Sequence, residues 1–183
     1  MRVGTTLYKV VNQPCASGGY EKRRVIWNNS TLRQDYGKNY LATVPKYDGF
    51  CTVPDHLNYR KEIDGFLNLY EPIEHTPQIG DFPNIRSLML HIFGEQYNLG
   101  LDYLQLLFLQ PLQKLPILLL VSEERNTGKS TFLNFLKAVF GDNVTFNTNE
   151  DFRSQFNSDW AGKLLIVVDE VLLNRREDSE RLK

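Results

Sequence analysis

Apolar positions follow different spacings in the two parts of this 183-residue chain. Up to Tyr70 they are scattered and heavily aromatic: Tyr8, Tyr20, Trp27, Tyr36, Tyr40, Tyr47, Phe50, Tyr59, Phe66 and Tyr70. "TLYKVV" and "RRVIW" carry the β-branched and aromatic residues of short strands, and "STLRQDYG" starts as a helical turn capped at Ser30. This part predicts a small α+β region. The stretch "EPIEHTPQIGDFPN", Glu71 to Asn84, concentrates Pro, Gly and Asp as linkers do. It divides the chain into residues 1–78 and 79–183.

Beyond the linker the spacing becomes helical. Pro83 suits a first helical turn. "NIRSLMLHIFGEQY" sets Ile85, Leu88, Met89, Ile92 and Phe93 on one face. "LGLDYLQLLFLQ" follows, with Leu101, Leu104, Leu107 and Phe108 as its apolar stripe, and Pro111 ends it. "PILLLVS" is then a continuous apolar run, the pattern of a parallel strand covered on both sides. "KSTFLNFLKAVFG" is amphipathic, with Phe132, Leu133, Leu136, Val139 and Phe140 inward and Gly141 as a C-terminal cap. "NVTF" is a short strand, and "KLLIVVDEV" is a second buried strand ending in two acids. The charged tail "NRREDSERLK" is predicted helical.

Composition adds few constraints. Apolar residues make up 42%, charged residues 23%, and the net charge is -1, an ordinary soluble balance with no overall field for nucleic acid or membrane. Cys15 and Cys51 form no CxxC, so reduced thiols in a cytoplasmic setting are expected. His56, His75 and His91 are scattered and make no metal-ligand pattern. The start "MRVGTTLYKVV" has no long apolar core of a signal peptide. The most apolar run, "LPILLLV", is too short to span a bilayer.

The chemistry concentrates between the first buried strand and the helix after it. The loop reads Ser122-Glu123-Glu124-Arg125-Asn126-Thr127-Gly128-Lys129-Ser130-Thr131. A phosphate-binding loop needs consecutive backbone N–H groups around the anion and a helix start facing it. It also needs a lysine for the β- and γ-phosphates and a neighbouring hydroxyl for Mg²⁺. Asn126, Thr127, Gly128, Lys129, Ser130 and Thr131 fit the nucleotide-gripping half of that description. Glu123 stands where the motif G-x-x-x-x-G-K-[ST] has its first glycine, a position favoured for positive φ. Its carboxylate is compatible with a triphosphate if it turns outward or pairs with Arg125.

"LLIVVDE" places Asp169 and Glu170 at the carboxyl end of a strand, the edge where open α/β sheets bind ligands. Asp169 fits a Walker B aspartate holding Mg²⁺, with Ser130, and Glu170 fits a general base for water. Lys129 and Glu170 are the candidate catalytic pair. The acidic pair favours NTP hydrolysis over phosphorylation of a small molecule.

These motifs resemble the superfamily 3 helicases, and more closely the phage- and plasmid-type primase-helicases. The likeness lies in "ILLLVSEERNTGKSTFLNFLKAVFGDN" and "FNSDWAGKLLIVVDEV". Trp160 matches the aromatic that precedes the Walker B strand. Phe132 and Phe140-Gly141 match the helix after the loop. "NLYEP" and "LDYLQLLFLQPLQK" look like the lead-in. The likeness runs from Phe66 to Lys183 and is weaker upstream, at "WNNSTLRQDYG" and "PKYDGF". It implies an α/β fold of P-loop NTPase, AAA+-like type with an incomplete parallel sheet. It implies ATP and Mg²⁺ as cofactors, single-stranded or forked DNA as partner, and a homo-oligomeric ring in the full-length protein. The setting would be bacterial or phage-infected host cytoplasm.

Glu123 and Asn126 depart from the glycines common in the family. The family's sensor asparagine and arginine finger have no counterpart before Lys183. In related ATPases the sensor strand lies between the Walker A and Walker B strands. A fragment is therefore expected, one that does not unwind DNA alone. The strands Ile117–Val121 and Leu165–Val168 would either pair directly or take a neighbour from elsewhere. Two other readings stay open: a non-catalytic assembly module with a degenerate loop, and a P-loop ATPase of another branch. "EKRRVIW", with Lys22, Arg23, Arg24 and Trp27, sets cations beside a stacking surface suited to single-stranded DNA, or else faces solvent around a small core.

Overall fold

The computed structural model describes residues 1–14, 20–148 and 162–168. It is a mixed α/β structure with small sheets, and it divides into two compact units. The first unit comprises Met1–Val53 and Arg60–Leu69, and the second Pro54–Tyr59 with Tyr70 onward.

In the first unit, β1 (Arg2–Val3), β2 (Thr6–Pro14), β3 (Tyr20–Ile26) and β4 (Lys46–Tyr47) form a sheet of order β3-β2-β1-β4. The strands read from "TLYKVV" and "RRVIW" are β2 and β3, antiparallel, with Tyr8 opposite Ile26 and Asn12 opposite Lys22. The helix expected at Ser30 is α1 (Asn29–Tyr36), but its cap is Asn28. The Asn28 side-chain oxygen accepts from the Ser30 N–H at 3.0 Å and from the Ser30 hydroxyl at 2.9 Å. A carbonyl two residues upstream satisfies an orphan N–H of the first turn as well as a serine cap would. A short helix α2 (Tyr40–Thr43) follows, and Leu32 and Val44 are buried.

Three strands of this unit carry no long pattern and are not predicted by spacing. They are β5 (Gly49–Cys51), β6 (Glu62–Ile63) and β7 (Phe66–Asn68), arranged β5-β7-β6. The β6–β7 hairpin does have a local signal: Asp64-Gly65 between Ile63 and Phe66, with φ of 48° and 83°. Positive φ at both central residues is what a tight hairpin turn requires.

The second unit is built from α3 (Pro83–Phe93), α4 (Tyr97–Leu109), α5 (Lys129–Phe140), β8 (Val144–Asn147) and β9 (Leu165–Val168). Its core is Met89, Leu107, Phe132, Leu136, Phe140, Val144 and Val167, so both predicted lead-in helices and the helix after the loop meet there. Ile85, expected on the inner face of α3, is instead 41% exposed. Gly141 caps α5 with φ 58°, its N–H bonded to the Lys137 carbonyl. The strands read from "NVTF" and "KLLIVVDEV" pair with each other in parallel, Val144 opposite Leu165 and Asn147 opposite Val168.

The run Ile117–Val121 departs from expectation. It is extended but belongs to no ladder among the described residues, and only one side is covered. Leu118 and Leu120 pack on the core, whereas Ile117, Leu119 and Val121 are 60%, 70% and 80% exposed. Period-two alternation puts one set of side chains on the helices. Covering the other set needs a second layer that the described residues do not supply. No helix among the described residues is long and apolar enough to cross a membrane. The charged tail and Trp160 lie outside the described residues.

Candidate functional site

The loop predicted to hold phosphate connects Val121 to α5. Its backbone resolves the mismatch at Glu123. Positive φ occurs at Asn126 (57°) and Gly128 (80°), not at Glu123. Asparagine is among the few residues that tolerate the left-handed region. The loop therefore turns without glycine at its entrance. Glu123, Glu124 and Arg125 are exposed, so the acid side chains face solvent. Gly128, with φ 80° and ψ 0°, delivers the chain into the first turn of α5, and its carbonyl accepts the Phe132 N–H at 2.9 Å.

Two hydroxyl side chains hold the lysine. The Lys129 ammonium donates to the Thr127 hydroxyl at 2.9 Å and to the Ser122 hydroxyl. Thr127 donates to Ser122 at 3.0 Å, and Ser122 donates to the Glu124 carbonyl at 2.8 Å. The ammonium is thus folded back over the loop and held by neutral oxygens. His91 on α3 supports the loop from beneath. Its Nε2 lies 3.1 Å from the Thr127 carbonyl, and its ring would meet a Cβ at Gly128 at 3.4 Å. His91 is itself exposed, and its partner is the loop.

Beside Lys129 a groove of about 470 Å³ runs between α3, α4 and the extended segment. His91, Gln96, Tyr103 and Leu119 are among its walls. The Tyr103 hydroxyl donates to the Pro116 carbonyl at 3.1 Å, tying α4 to this segment, and burial raises its pKa.

The structure thus brings Thr127, Gly128 and Lys129 together with Ser122 and His91. Ser130 and Thr131 occupy the first turn of α5 and are exposed, as is Asn126. Asp169 and Glu170 lie outside the described residues; β9 ends at Val168, immediately before them. Val167 of β9 packs in the same core as Phe132 and Leu136 of α5.

Two kinds of known protein resemble this chain. A family described as of unknown function, DUF5906, matches residues 120–183, which contain the loop, α5 and both acids. The apo structure of the NrS-1 C-terminal region, residues 305–718, superposes with a TM-score of 0.62 at 21% identity over 93% of this chain. A second apo form of that region gives a TM-score of 0.53 at 20% identity over 80% of this chain. The chain spans 44% and 38% of those two structures, so the shared architecture is part of a larger one. Comparison with curated protein sequences returns no match.

Proposed function

We propose that this chain is the ATP-binding portion of a replicative DNA helicase of the primase-helicase type, within a P-loop NTPase fold. In the full-length protein, Mg²⁺-ATP hydrolysis would drive unwinding of DNA by a ring of subunits. One observation carries the reading. Lys129 opens α5 directly after a left-handed Gly128, with its ammonium turned back over a loop whose shape needs no glycine at Glu123. A helix start presents unpaired N–H groups and positive potential, so it suits a phosphate chain.

The residues divide the work as follows. Asn126 to Lys129 supply backbone N–H groups. On binding, the Lys129 ammonium would exchange the Ser122 and Thr127 oxygens for phosphate oxygens. The Ser130 hydroxyl and the Asp169 carboxylate would hold Mg²⁺, with Thr131 following Ser130 in the first turn of α5. Glu170 would serve as the general base toward water. When bound, Mg²⁺ offsets charge on the β- and γ-phosphates.

Thermal unfolding with and without Mg²⁺-ATP tests this. Binding stabilises by RT ln(1 + [L]/Kd), about 2.7 kcal/mol at a hundredfold excess over Kd. The wild-type chain should show a rise in Tm, lost in Lys129→Ala and reduced in Ser130→Ala. No rise in the wild type, or an equal rise in a folded Lys129→Ala, overturns the reading. A non-catalytic assembly module is the second reading, favoured by the bare side of Ile117, Leu119 and Val121. It requires self-association or partner capture abolished by Leu119→Ser, with no ATP response.

A further inference from the structure

The four-stranded sheet of the first unit gathers positive charge on one face. In an antiparallel or parallel pair, directly opposed residues share a face, and alternate residues along a strand return to it. Lys46 on β4 is opposite Arg2 on β1, which is opposite Leu7 on β2. Two residues along β2 is Lys9, opposite Val25 on β3; two further is Val11, opposite Arg23. Lys46, Arg2, Lys9 and Arg23 therefore run diagonally across all four strands on one face. Neighbouring strands lie about 5 Å apart and alternate residues about 7 Å apart. All four side chains are exposed. Glu21 takes the register position opposite Gln13, two residues beyond Arg23 at the far end of the ribbon.

The same face has an aromatic platform and a trough. The Lys9 ammonium sits 4.7 Å from the centre of the half-buried Trp27 ring. Beside it a groove of about 640 Å³ is bounded by Arg2, Lys46, Trp27, Asn28, Asn29 and Leu41. The opposite face turns inward at its base, where Val3 is buried and Tyr8 meets Phe50 edge to face at 5.5 Å. The chain as a whole carries -1, so a row of four cations is a local feature, not overall basicity.

We infer that the Lys46–Arg2–Lys9–Arg23 face, with Trp27 and the adjoining groove, binds single-stranded DNA. The cations meet successive phosphates, the indole offers a surface on which an unpaired base stacks, and the Asn28 and Asn29 amides offer hydrogen bonds in the trough. A duplex keeps its bases stacked on one another and makes no use of the indole. DNA as the polyanion rests on the helicase reading above, but the face lies in a different unit from Lys129 and its binding is measured without nucleotide.

Fluorescence anisotropy of a labelled 20-nucleotide oligothymidylate with the full chain, over a salt series, tests the assignment. Each lost phosphate contact should flatten the slope of log K against log salt by about 0.7. Arg2→Ala with Lys46→Ala, and Lys9→Ala with Arg23→Ala, should each flatten it by about 1.4 and weaken binding at least tenfold, roughly what two phosphate contacts supply. Trp27→Ala should weaken binding several-fold with the slope unchanged, and Trp27→Phe should restore most of it. Circular dichroism identifies any variant that fails to fold. Lys22→Ala with Arg24→Ala, on the opposite face, should leave binding within about twofold. Unchanged affinity in both double variants, loss only on the opposite face, or equal affinity for a duplex of the same length overturns the inference. The ATP-dependent rise in Tm fails or survives independently of these results.

Discussion

His56 lies flat against Phe108, with ring centroids 5.2 Å apart and planes 6° apart, and its Nε2 is 3.2 Å from the Tyr70 hydroxyl. Burial lowers its pKa from the ordinary histidine value, outweighing the pull of the neighbouring Asp55 carboxylate. The folded protein therefore holds the ring neutral at pH values where the unfolded chain begins to protonate it. Stability from this site is complete above about pH 6.5 and falls as pH drops towards the lowered folded value. Thermal melts should show Tm declining as pH drops below about 6.5, and His56→Phe should flatten that decline. An unchanged slope in the variant would remove His56 from the account. Two buried asparagines act through hydrogen bonds instead of charge. The Asn143 side chain accepts from the Glu71 N–H at 3.0 Å and donates to the Glu71 carbonyl at 2.8 Å, fixing the chain after Tyr70 to the turn following α5. Asn68 binds Val53 on both its backbone groups and the Arg60 carbonyl, closing the ends of the 54–59 excursion. Neither asparagine was legible in the sequence, because a side chain that mimics a peptide group has no spacing rule; its partners are 72 and 15 residues away.

Elements in the second unit are positioned by close contacts more than by propensity. Gly100 sits in α4 directly against the Phe93 ring, and a Cβ there would come within 2.6 Å of it. Alanine normally improves a helix by about 1 kcal/mol over glycine. Here the gain is outweighed by overpacking, which costs roughly 1–3 kcal/mol. Gly100→Ala should lower Tm, and adding Phe93→Leu should recover much of the loss. A Gly100→Ala protein as stable as the wild type would mean that α3 and α4 are not locked at this contact. The helix α5 needed little such information: the five residues its apolar spacing named all pack on the core, and only Phe135 joins them unannounced. The extended segment before the loop needed more than its composition. An all-apolar run records that a strand is to be covered, not which elements cover it, and Leu118 and Leu120 alone find the helices.

Along the chain as a whole, the stretch after Tyr70 is tethered at two points. Glu71 is clamped by Asn143, and the His75 Nε2 lies 2.7 Å from the Ala138 carbonyl. From Thr76 to Phe82 the chain has no regular secondary structure and is exposed, with Ile79 fully in solvent. Limited proteolysis should therefore cut first within Pro77–Asp81. The two pieces should remain associated under native conditions, because residues 54–59 and 70–75 pack with the second unit. Separation of the fragments on gel filtration after a single cut, or a first cut inside α3–α5, would contradict this.

Local pattern alone specified the periodic elements and the chemistry they carry: β2 and β3, the three helices of the second unit, β8 and β9, and the Thr127–Lys129 loop at a helix start. Hydrophobic period, a proline at a first turn and a glycine before a lysine all act within a few residues, so they can be read without a fold. Features that depend on distant partners emerged only with the folded chain. Folding moved the φ demand of the loop from Glu123 to Asn126, seated His91 beneath Thr127, left one side of Ile117–Val121 bare, and lined up Lys46, Arg2, Lys9 and Arg23. Strand register is set by pairing between segments far apart in the chain, so the face a residue occupies is fixed only when the sheet forms.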